Sequence, residues 1–209
     1  MTARPARLVV VTGTGTEVGK TWVAAAALQA LRARNVNVAA RKPVQSFEPG
    51  SGSTDAEVLA AATGETPEAV CLAHRSYAVA MAPPMAAEKL GVPPFTIADL
   101  VAELSWPAGI DVGLVEGAGG PLSPLTADGD NVDLCVELAP DVVVLVADAG
   151  LGTLNAVRLC ADALDPHPLV VFLNRYDRSN ELHRANSAWL TDRDGFDVVT
   201  SIDELASAS

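Results

Sequence analysis

The segment Gly13–Thr21 is the feature that most constrains how this chain can fold. It reads Gly-Thr-Gly-Thr-Glu-Val-Gly-Lys-Thr, follows the apolar run Leu8–Val11 and precedes an Ala- and Leu-rich stretch. A glycine-rich turn between a strand and a helix directs several backbone N–H groups at one anion, and the helix dipole adds favourable charge. The segment therefore predicts a phosphate-binding loop, with Lys20 on the β- and γ-phosphates and Thr21 on Mg²⁺.

The spacing of this loop departs from the strict pattern in one respect. Thr14 stands where the pattern requires glycine, and Gly13 comes one residue early, so the loop is one residue longer than the common form. The alternative interpretation is a glycine-rich turn capped by a threonine. The strand before the loop and the Gly-Lys-Thr sequence at the start of a helix favour the phosphate-binding interpretation.

Short apolar runs alternate with longer amphipathic stretches along the chain. The strands are predicted at Leu8–Val11, Asn37–Arg41, Ile110–Val115, Asp141–Ala147, Leu169–Leu173 and Val198–Thr200. The helices are predicted at Thr21–Arg34, Ala98–Leu104, Val132–Leu138 and Thr153–Leu164, with a further helix opening at Asp55. Such alternation is typical of a parallel sheet covered by helices on both faces. We expect an α/β fold with a mostly parallel sheet, in a single domain over 1–209.

Composition excludes several classes of protein. Hydrophobic residues make up 49% of the 209 residues, which is incompatible with a disordered chain, and the net charge of −12 argues against a nucleic-acid partner. The longest apolar runs, such as Val142–Ala147, are too short to span a bilayer. Met1–Pro5 runs into a four-residue apolar stretch, unlike a signal-peptide core. We expect a cytoplasmic protein with no membrane partner.

In parallel sheets, ligands bind at the carboxyl ends of the strands. Polar side chains follow several of the predicted strands at these ends. Lys42 follows the second strand and would point into the crevice near the phosphates; alternatively it is a surface lysine before a turn. Glu116 ends the third strand, where a carboxylate suits Mg²⁺, or it is a surface acid. The glycines of Gly117–Gly120 indicate close approach of the backbone to a ligand.

Three further polar residues carry less specific signals. Asp55 by itself is typical of an acid in the first turn of a helix. Thr153 is a helix cap or a ligand contact, and Asn174 is a turn former or a nucleotide-base reader. The histidines share no metal-ligand spacing and are interpreted as structural: His74, His167 and His183.

Several motifs together resemble the dethiobiotin synthetase family, the ATP-dependent enzymes of biotin biosynthesis with a P-loop NTPase-like fold. In the family's order they are Gly13–Thr21, Lys42-Pro43-Val44-x-Ser46, Ala82-Pro83-x-x-Ala86-Ala87, Val115-Glu116-Gly117-Ala118-Gly119-Gly120 and Leu151-Gly152-Thr153-Leu154-Asn155. Unrelated P-loop proteins lack this set, so it is highly specific. The resemblance implies a homodimeric ligase that closes a cyclic urea on 7,8-diaminononanoate with CO₂ and MgATP, giving dethiobiotin, ADP and phosphate.

The resemblance also assigns roles to residues. Lys20 and Lys42 would be catalytic, flanking the carbamate and the γ-phosphate. The implied metal ligands are Thr21, Asp55 and Glu116. The implied nucleotide-binding residues are Thr16, Glu17, Val18, Gly19, Lys20, Thr21, Glu116, Gly119 and Asn174. The implied diamine-binding residues are Thr16, Lys42, Ser46, Leu151 and Asn155, the last two across the dimer interface.

The chain departs from the family pattern at three places. Gly15 replaces a common Asp, Ala156 replaces a common His, and the segment after Asn174 matches poorly. These departures bear on base recognition and dimer contacts. Two alternatives therefore stay open: a carboxylating ligase for another diamine, and a nucleotide switch like the partition ATPases. The switch proteins usually carry a second lysine in the loop, where this chain has Gly15.

Overall fold

A six-stranded parallel sheet is the centre of the computed structural model, which describes residues 4–208. The strands in chain order are β1 Arg7–Gly13, β2 Val38–Arg41, β3 Gln45–Ser46, β4 Ser76–Tyr77, β5 Val112–Glu116, β6 Val142–Asp148, β7 Leu169–Asn174 and β8 Asp197–Val199. The main sheet has the order β2-β5-β1-β6-β7-β8, while β3 and β4 form a separate parallel pair. The carboxyl ends of β2, β5 and β1 thus lie side by side.

Helices cover both faces of this sheet. They are α1 Lys20–Ala33, α2 Asp55–Thr63, α3 Pro67–Val70, α4 Pro83–Lys89, α5 Ile97–Glu103, α6 Asn131–Leu138, α7 Thr153–Leu164, α8 Glu181–Asp192 and α9 Ile202–Ala208. Alternate side chains of β1 enter opposite cores: Val9 packs with residues of α1 and α2, and Val10 with residues of α5 to α8. The predicted fold class is confirmed, because both faces of the sheet are buried.

The sequence pattern did not identify several elements. In α8, only Asn186 and Leu190 are buried, so the helix carries too narrow an apolar stripe to stand out. The pair β3 and β4 has two residues per strand, too few for a periodicity to appear. Short helices such as α4 also went unassigned.

Two expectations concern the chain start and membranes. The interpretation of Met1–Pro5 falls partly on residues 1–3, which lie outside the described part of the chain. Within residues 4–208, none of the helices combines the length and apolar character that a bilayer crossing requires.

Packing of α8 provides a test of the fold. Leu190 is 0% exposed and Leu182, on the same helix, is 39% exposed. We expect Leu190→Ala to lower the free energy of unfolding by about 2–5 kcal/mol, because it opens a cavity. The matched control Leu182→Ala should lower it by about 0.5 kcal/mol or less. Urea denaturation measures both, and equal losses would contradict the placement of α8.

Candidate active site

The predicted phosphate loop lies between the end of β1 and the start of α1. Within it Glu17 and Gly19 have positive φ angles of 61° and 97°. The Lys20 ammonium donates a hydrogen bond of 2.9 Å to the carbonyl of Gly15, so the side chain spans the loop. Burial lowers the pKa of Lys20, and the nearby charge of Lys42 lowers it further.

A cluster of charges adjoins this loop, with Lys42 and Glu116 buried and Asp55 half-buried. Lys42 is 1% exposed, and its Nζ atom lies 2.7 Å from Glu116 Oε1 and 2.8 Å from Asp55 Oδ2. It also donates a hydrogen bond of 2.9 Å to the carbonyl of Gly117. The Thr21 hydroxyl lies 2.8 Å from Asp55 Oδ1 and 2.9 Å from Glu116 Oε1, so its single proton is donated to one of the two carboxylates.

Asp55 is the first residue of α2, and Thr54 caps this helix. The Thr54 side chain accepts a hydrogen bond from the Glu57 N–H, and the Glu57 carboxylate accepts one from the Thr54 N–H. This capping box satisfies the start of α2. The Asp55 carboxylate is therefore both a first-turn acid and a member of the charge cluster.

Burial and the neighbouring opposite charges compete to set the pKa of each group in the cluster. Burial alone would lower the pKa of Lys42, but Glu116 and Asp55 outweigh it and hold that pKa above its ordinary value. Burial raises the pKa of Glu116. For Asp55, burial is opposed by Lys42, which holds the pKa of this carboxyl below its usual value. Lys42 is thus a protonated hydrogen-bond donor.

The cluster has the donor set of a divalent-cation site. Thr21, Asp55 and Glu116 offer oxygen atoms, the ligands that Mg²⁺ prefers. Glu116 Oε2 is buried and has no hydrogen-bond partner within the described residues. No group of three His, Cys, Asp or Glu side chains within residues 4–208 is arranged to hold a metal. A cation here would therefore also need phosphate oxygens or water.

A cleft of about 630 Å³ opens beside the cluster. The predicted site residues that line it are Thr16, Glu17, Gly19, Lys20, Thr21, Lys42, Ser46, Asp55 and Gly119. Leu151, which is 92% exposed, and Asn155 lie on the surface and are not among the residues that line the cleft. The structure thus brings together the predicted phosphate and metal residues, but not the predicted tail-binding pair.

Sequence reasoning missed a residue that holds this site together. The Gln45 Oε1 atom accepts a hydrogen bond of 3.0 Å from the Ala56 N–H, and its Nε2 donates one of 2.8 Å to Ser76. Gln45 therefore ties β3 and β4 to the start of α2, next to Asp55. It occupies the variable position of Lys-Pro-Val-x-Ser, where a single sequence gives no signal.

The glycine turn after β5 is shaped by a packing partner. A Cβ atom on Gly117 would lie 1.9 Å from Asn131 Oδ1. The Asn131 side chain donates hydrogen bonds of 2.9 Å and 2.7 Å to the carbonyls of Ala118 and Gly120. The close approach predicted at Gly117 is thus to Asn131. Gly119, with a φ of 70°, lines the cleft.

The structure contradicts one interpretation of Thr153 and leaves both interpretations of Asn174 open. The cap of α7 is Gly152, and Thr153 is the first helical residue, so the interpretation of Thr153 as a cap is wrong. The Asn174 Nδ2 donates a hydrogen bond of 2.9 Å to the Val18 carbonyl, and its Oδ1 accepts one of 2.9 Å from the Arg175 N–H. Asn174 therefore contacts the phosphate loop and its own turn; its role towards the base stays a prediction.

Comparison with known proteins decides the family. Residues 7–207 match a family model described as an AAA domain. An ATP-dependent dethiobiotin synthetase of Rhodococcus jostii is 40% identical over 213 residues, covering 97% of this chain and 90% of that protein. One from Anaeromyxobacter dehalogenans is 39% identical, covering 88% of this chain and 85% of that protein. The chain belongs to the ATP-dependent dethiobiotin synthetase family. The predicted resemblance to these ATP-dependent ligases is confirmed.

Solved structures agree on the fold. The signal recognition particle receptor FtsY from Elizabethkingia anophelis has a TM-score of 0.54 at 16% identity, covering 95% of this chain; the chain spans 58% of FtsY. A putative plasmid partition protein from Borrelia burgdorferi has a TM-score of 0.55 at 13% identity, covering 97% of this chain and 90% of that one. At such identities the likeness concerns the fold, so it gives the partition-ATPase alternative no functional support.

Because Lys42 and Glu116 are both buried and in contact, they should be energetically coupled. We expect Lys42→Met to lower the free energy of unfolding by about 3–5 kcal/mol, since it leaves Glu116 buried without its cation. In a Glu116→Gln background the same change should cost much less. Urea denaturation without nucleotide measures the free energy of unfolding of the two single variants and the double variant. Lys89→Met, at an exposed position, is the control. Additive losses would contradict the coupling.

Proposed function

We propose that this chain closes the ureido ring of dethiobiotin from 7,8-diaminononanoate, CO₂ and ATP, releasing ADP and phosphate. The observation that carries the proposal is the cluster of buried Lys42 and Glu116 with half-buried Asp55 and Thr21 beside the phosphate loop, in a member of this family. Two fixed cations, Lys20 and Lys42, meet two carboxylates there. Such a site suits the transfer of a highly charged phosphoryl group.

The proposed reaction has three steps. One amine of the substrate adds to CO₂ and loses a proton, forming a carbamate. A carbamate oxygen attacks the γ-phosphorus of ATP, the bond to ADP breaks, and a carbamic–phosphoric anhydride forms. The second amine attacks the carbonyl carbon of the anhydride and loses a proton, the bond to phosphate breaks, and the ring closes. Each step depends on positioning and charge neutralisation more than on covalent help from the protein.

The two lysines have distinct proposed roles. Lys20 neutralises charge on the β- and γ-phosphates, exchanging its contact with the Gly15 carbonyl for phosphate oxygens. Lys42 lies between the γ-phosphate and the carbamate. Because its pKa is raised, Lys42 acts as a cation and hydrogen-bond donor and not as a general base.

We propose that Thr21, Asp55 and Glu116 hold Mg²⁺ together with phosphate oxygens and water. The metal would supply positive charge to the phosphate oxygens. The unpartnered Oε2 atom of Glu116 supports this assignment. With Thr16, Glu17, Val18, Gly19 and Gly119, these residues form the proposed nucleotide site.

The diamine is proposed to lie in the cleft, with Thr16, Lys42 and Ser46 near its amines. A homodimer would supply Leu151 and Asn155 from a second copy to the substrate tail. Leu122 and Leu159, which are 68% and 63% exposed, line one surface cavity and support such an interface, because contiguous exposed apolar surface is typical of protein–protein contacts. We further propose that residues 1–209 form one domain around the single main sheet.

Product analysis tests the proposed activity directly. The protein is incubated with 7,8-diaminononanoate, bicarbonate and MgATP, and the products are identified by mass. We expect dethiobiotin in equal amount to ADP, and no dethiobiotin from Lys20→Ala. ADP release without dethiobiotin, or ring closure on a diamine of another length in preference, would overturn the assignment of substrate.

The metal assignment predicts a change in Mg²⁺ dependence. Glu116→Gln removes a carboxylate charge while keeping the shape of the side chain, so we expect a steep rise in the Mg²⁺ concentration needed for half-maximal activity. Glu88→Gln, at an exposed position on α4, should leave that concentration unchanged. Titration of activity with Mg²⁺ at saturating ATP measures both, and identical curves would refute the role of Glu116.

The base pocket predicts weak nucleotide selectivity. A cavity of about 500 Å³ next to the loop is lined by Asn174, Tyr176, Thr200, Ser201 and other residues. Asn174 already donates to the Val18 carbonyl, so fewer of its polar atoms are available to discriminate a base. Each hydrogen bond to the base that the protein lacks reduces the discrimination between bases by about 1 kcal/mol. We expect kcat/KM for CTP and GTP within about a hundredfold of that for ATP; a larger preference would contradict this.

A further inference from the structure

Two consecutive carbonyl groups of the phosphate loop are held by the residues at the end of β7. The Asn174 Nδ2 donates a hydrogen bond of 2.9 Å to the Val18 carbonyl. The Arg175 Nη2 donates one of 2.9 Å to the Glu17 carbonyl. No motif of the sequence pointed to Arg175, and the proposed mechanism does not use it.

The Arg175 side chain is itself anchored. Its Nη1 atom lies 2.9 Å from Asp148 Oδ2, at the end of β6. The other oxygen of Asp148 accepts a hydrogen bond of 2.8 Å from the Gly150 N–H. Asp148 and Asn174 are register partners in neighbouring strands, so the sheet fixes the backbone from which this carboxylate extends. The guanidinium therefore bridges the end of β6 and the phosphate loop.

These contacts set the direction of the loop's N–H groups. In a planar trans peptide the carbonyl and the following N–H point in opposite directions. Carbonyls of Glu17 and Val18 that face β7 therefore turn the N–H groups of Val18 and Gly19 to the other side of the loop. Glu17 and Gly19 line the cleft. The φ of 61° at Glu17 is rare for a residue with a side chain and needs such outside support.

We propose that Arg175 is a positioning residue that directs the N–H groups of Val18 and Gly19 at the phosphates of the nucleotide, with Asp148 holding its guanidinium. The inference rests on the proposed function only in requiring a triphosphate ligand. The Arg175 and Asp148 side chains are 60% and 48% exposed, and ion pairs at such exposure add little to stability. Their effect should therefore appear in phosphate affinity and not in unfolding.

Calorimetric titration with ATP and with inorganic tripolyphosphate, which has no base, tests this role. We expect Arg175→Ala to weaken both ligands by about three- to tenfold, the size of one lost hydrogen bond, with an unchanged thermal unfolding midpoint. Arg178→Ala removes the same charge three residues away and should change each affinity less than about twofold. Arg175→Lys keeps the charge but not the two-ended guanidinium, so most of the loss should remain.

A second variant tests the anchor. Asp148→Asn should also lower the affinity for both ligands. In an Arg175→Ala background it should lower these affinities little further, because the two residues act as one unit. Weaker ATP binding with unchanged tripolyphosphate binding would overturn the inference in favour of a base contact, and unchanged binding of both would overturn it outright. If the unmodified protein bound neither ligand, the proposed function would fail and this inference with it.

Discussion

The buried ammonium of Lys42 between two carboxylates is the interaction on which the rest of the site depends. It lies 2.7 Å from Glu116 and 2.8 Å from Asp55, and it joins the ends of β2 and β5 to the start of α2. A buried charge of this kind is tolerated only when opposite charges or hydrogen bonds compensate it. The Thr21 hydroxyl lies within hydrogen-bonding distance of both carboxylates, and Lys20 adds a second positive charge nearby. The positions of four elements are thereby fixed around one small volume beside the phosphate loop.

The balance of this cluster bears on how it meets a nucleotide. The two lysines and two carboxylates together have a formal net charge of zero. A nucleoside triphosphate brings several negative charges, and Mg²⁺ brings two positive ones. We propose that, when both bind, Lys42 shares its contacts between the carboxylates and the phosphate. The carboxylates would then become free for the metal. In this proposed exchange of partners, the Lys42 ammonium occupies the place of the metal until the nucleotide binds.

Much of this architecture was predictable from the sequence, for identifiable reasons. The strands are apolar on both faces, and α7 begins and ends where its pattern indicates, at Thr153–Leu164. Lys42 and Glu116 were identified because strand ends converge in a parallel sheet. Gln45 and Arg175 could not be identified, because their partners lie on other elements and only tertiary structure brings them together. Asp55 needed the family resemblance, since an acid in a first turn is common.

A crystal structure with Mg²⁺ and a non-hydrolysable ATP analogue would test the exchange of partners most directly. We expect a metal at about 2.0–2.1 Å from the Thr21 hydroxyl oxygen and close to Glu116 and Asp55. We also expect the Lys42 Nζ atom to move from at least one carboxylate to within hydrogen-bonding distance of the γ-phosphate. A metal bound elsewhere, with both Lys42 contacts unchanged, would contradict the exchange.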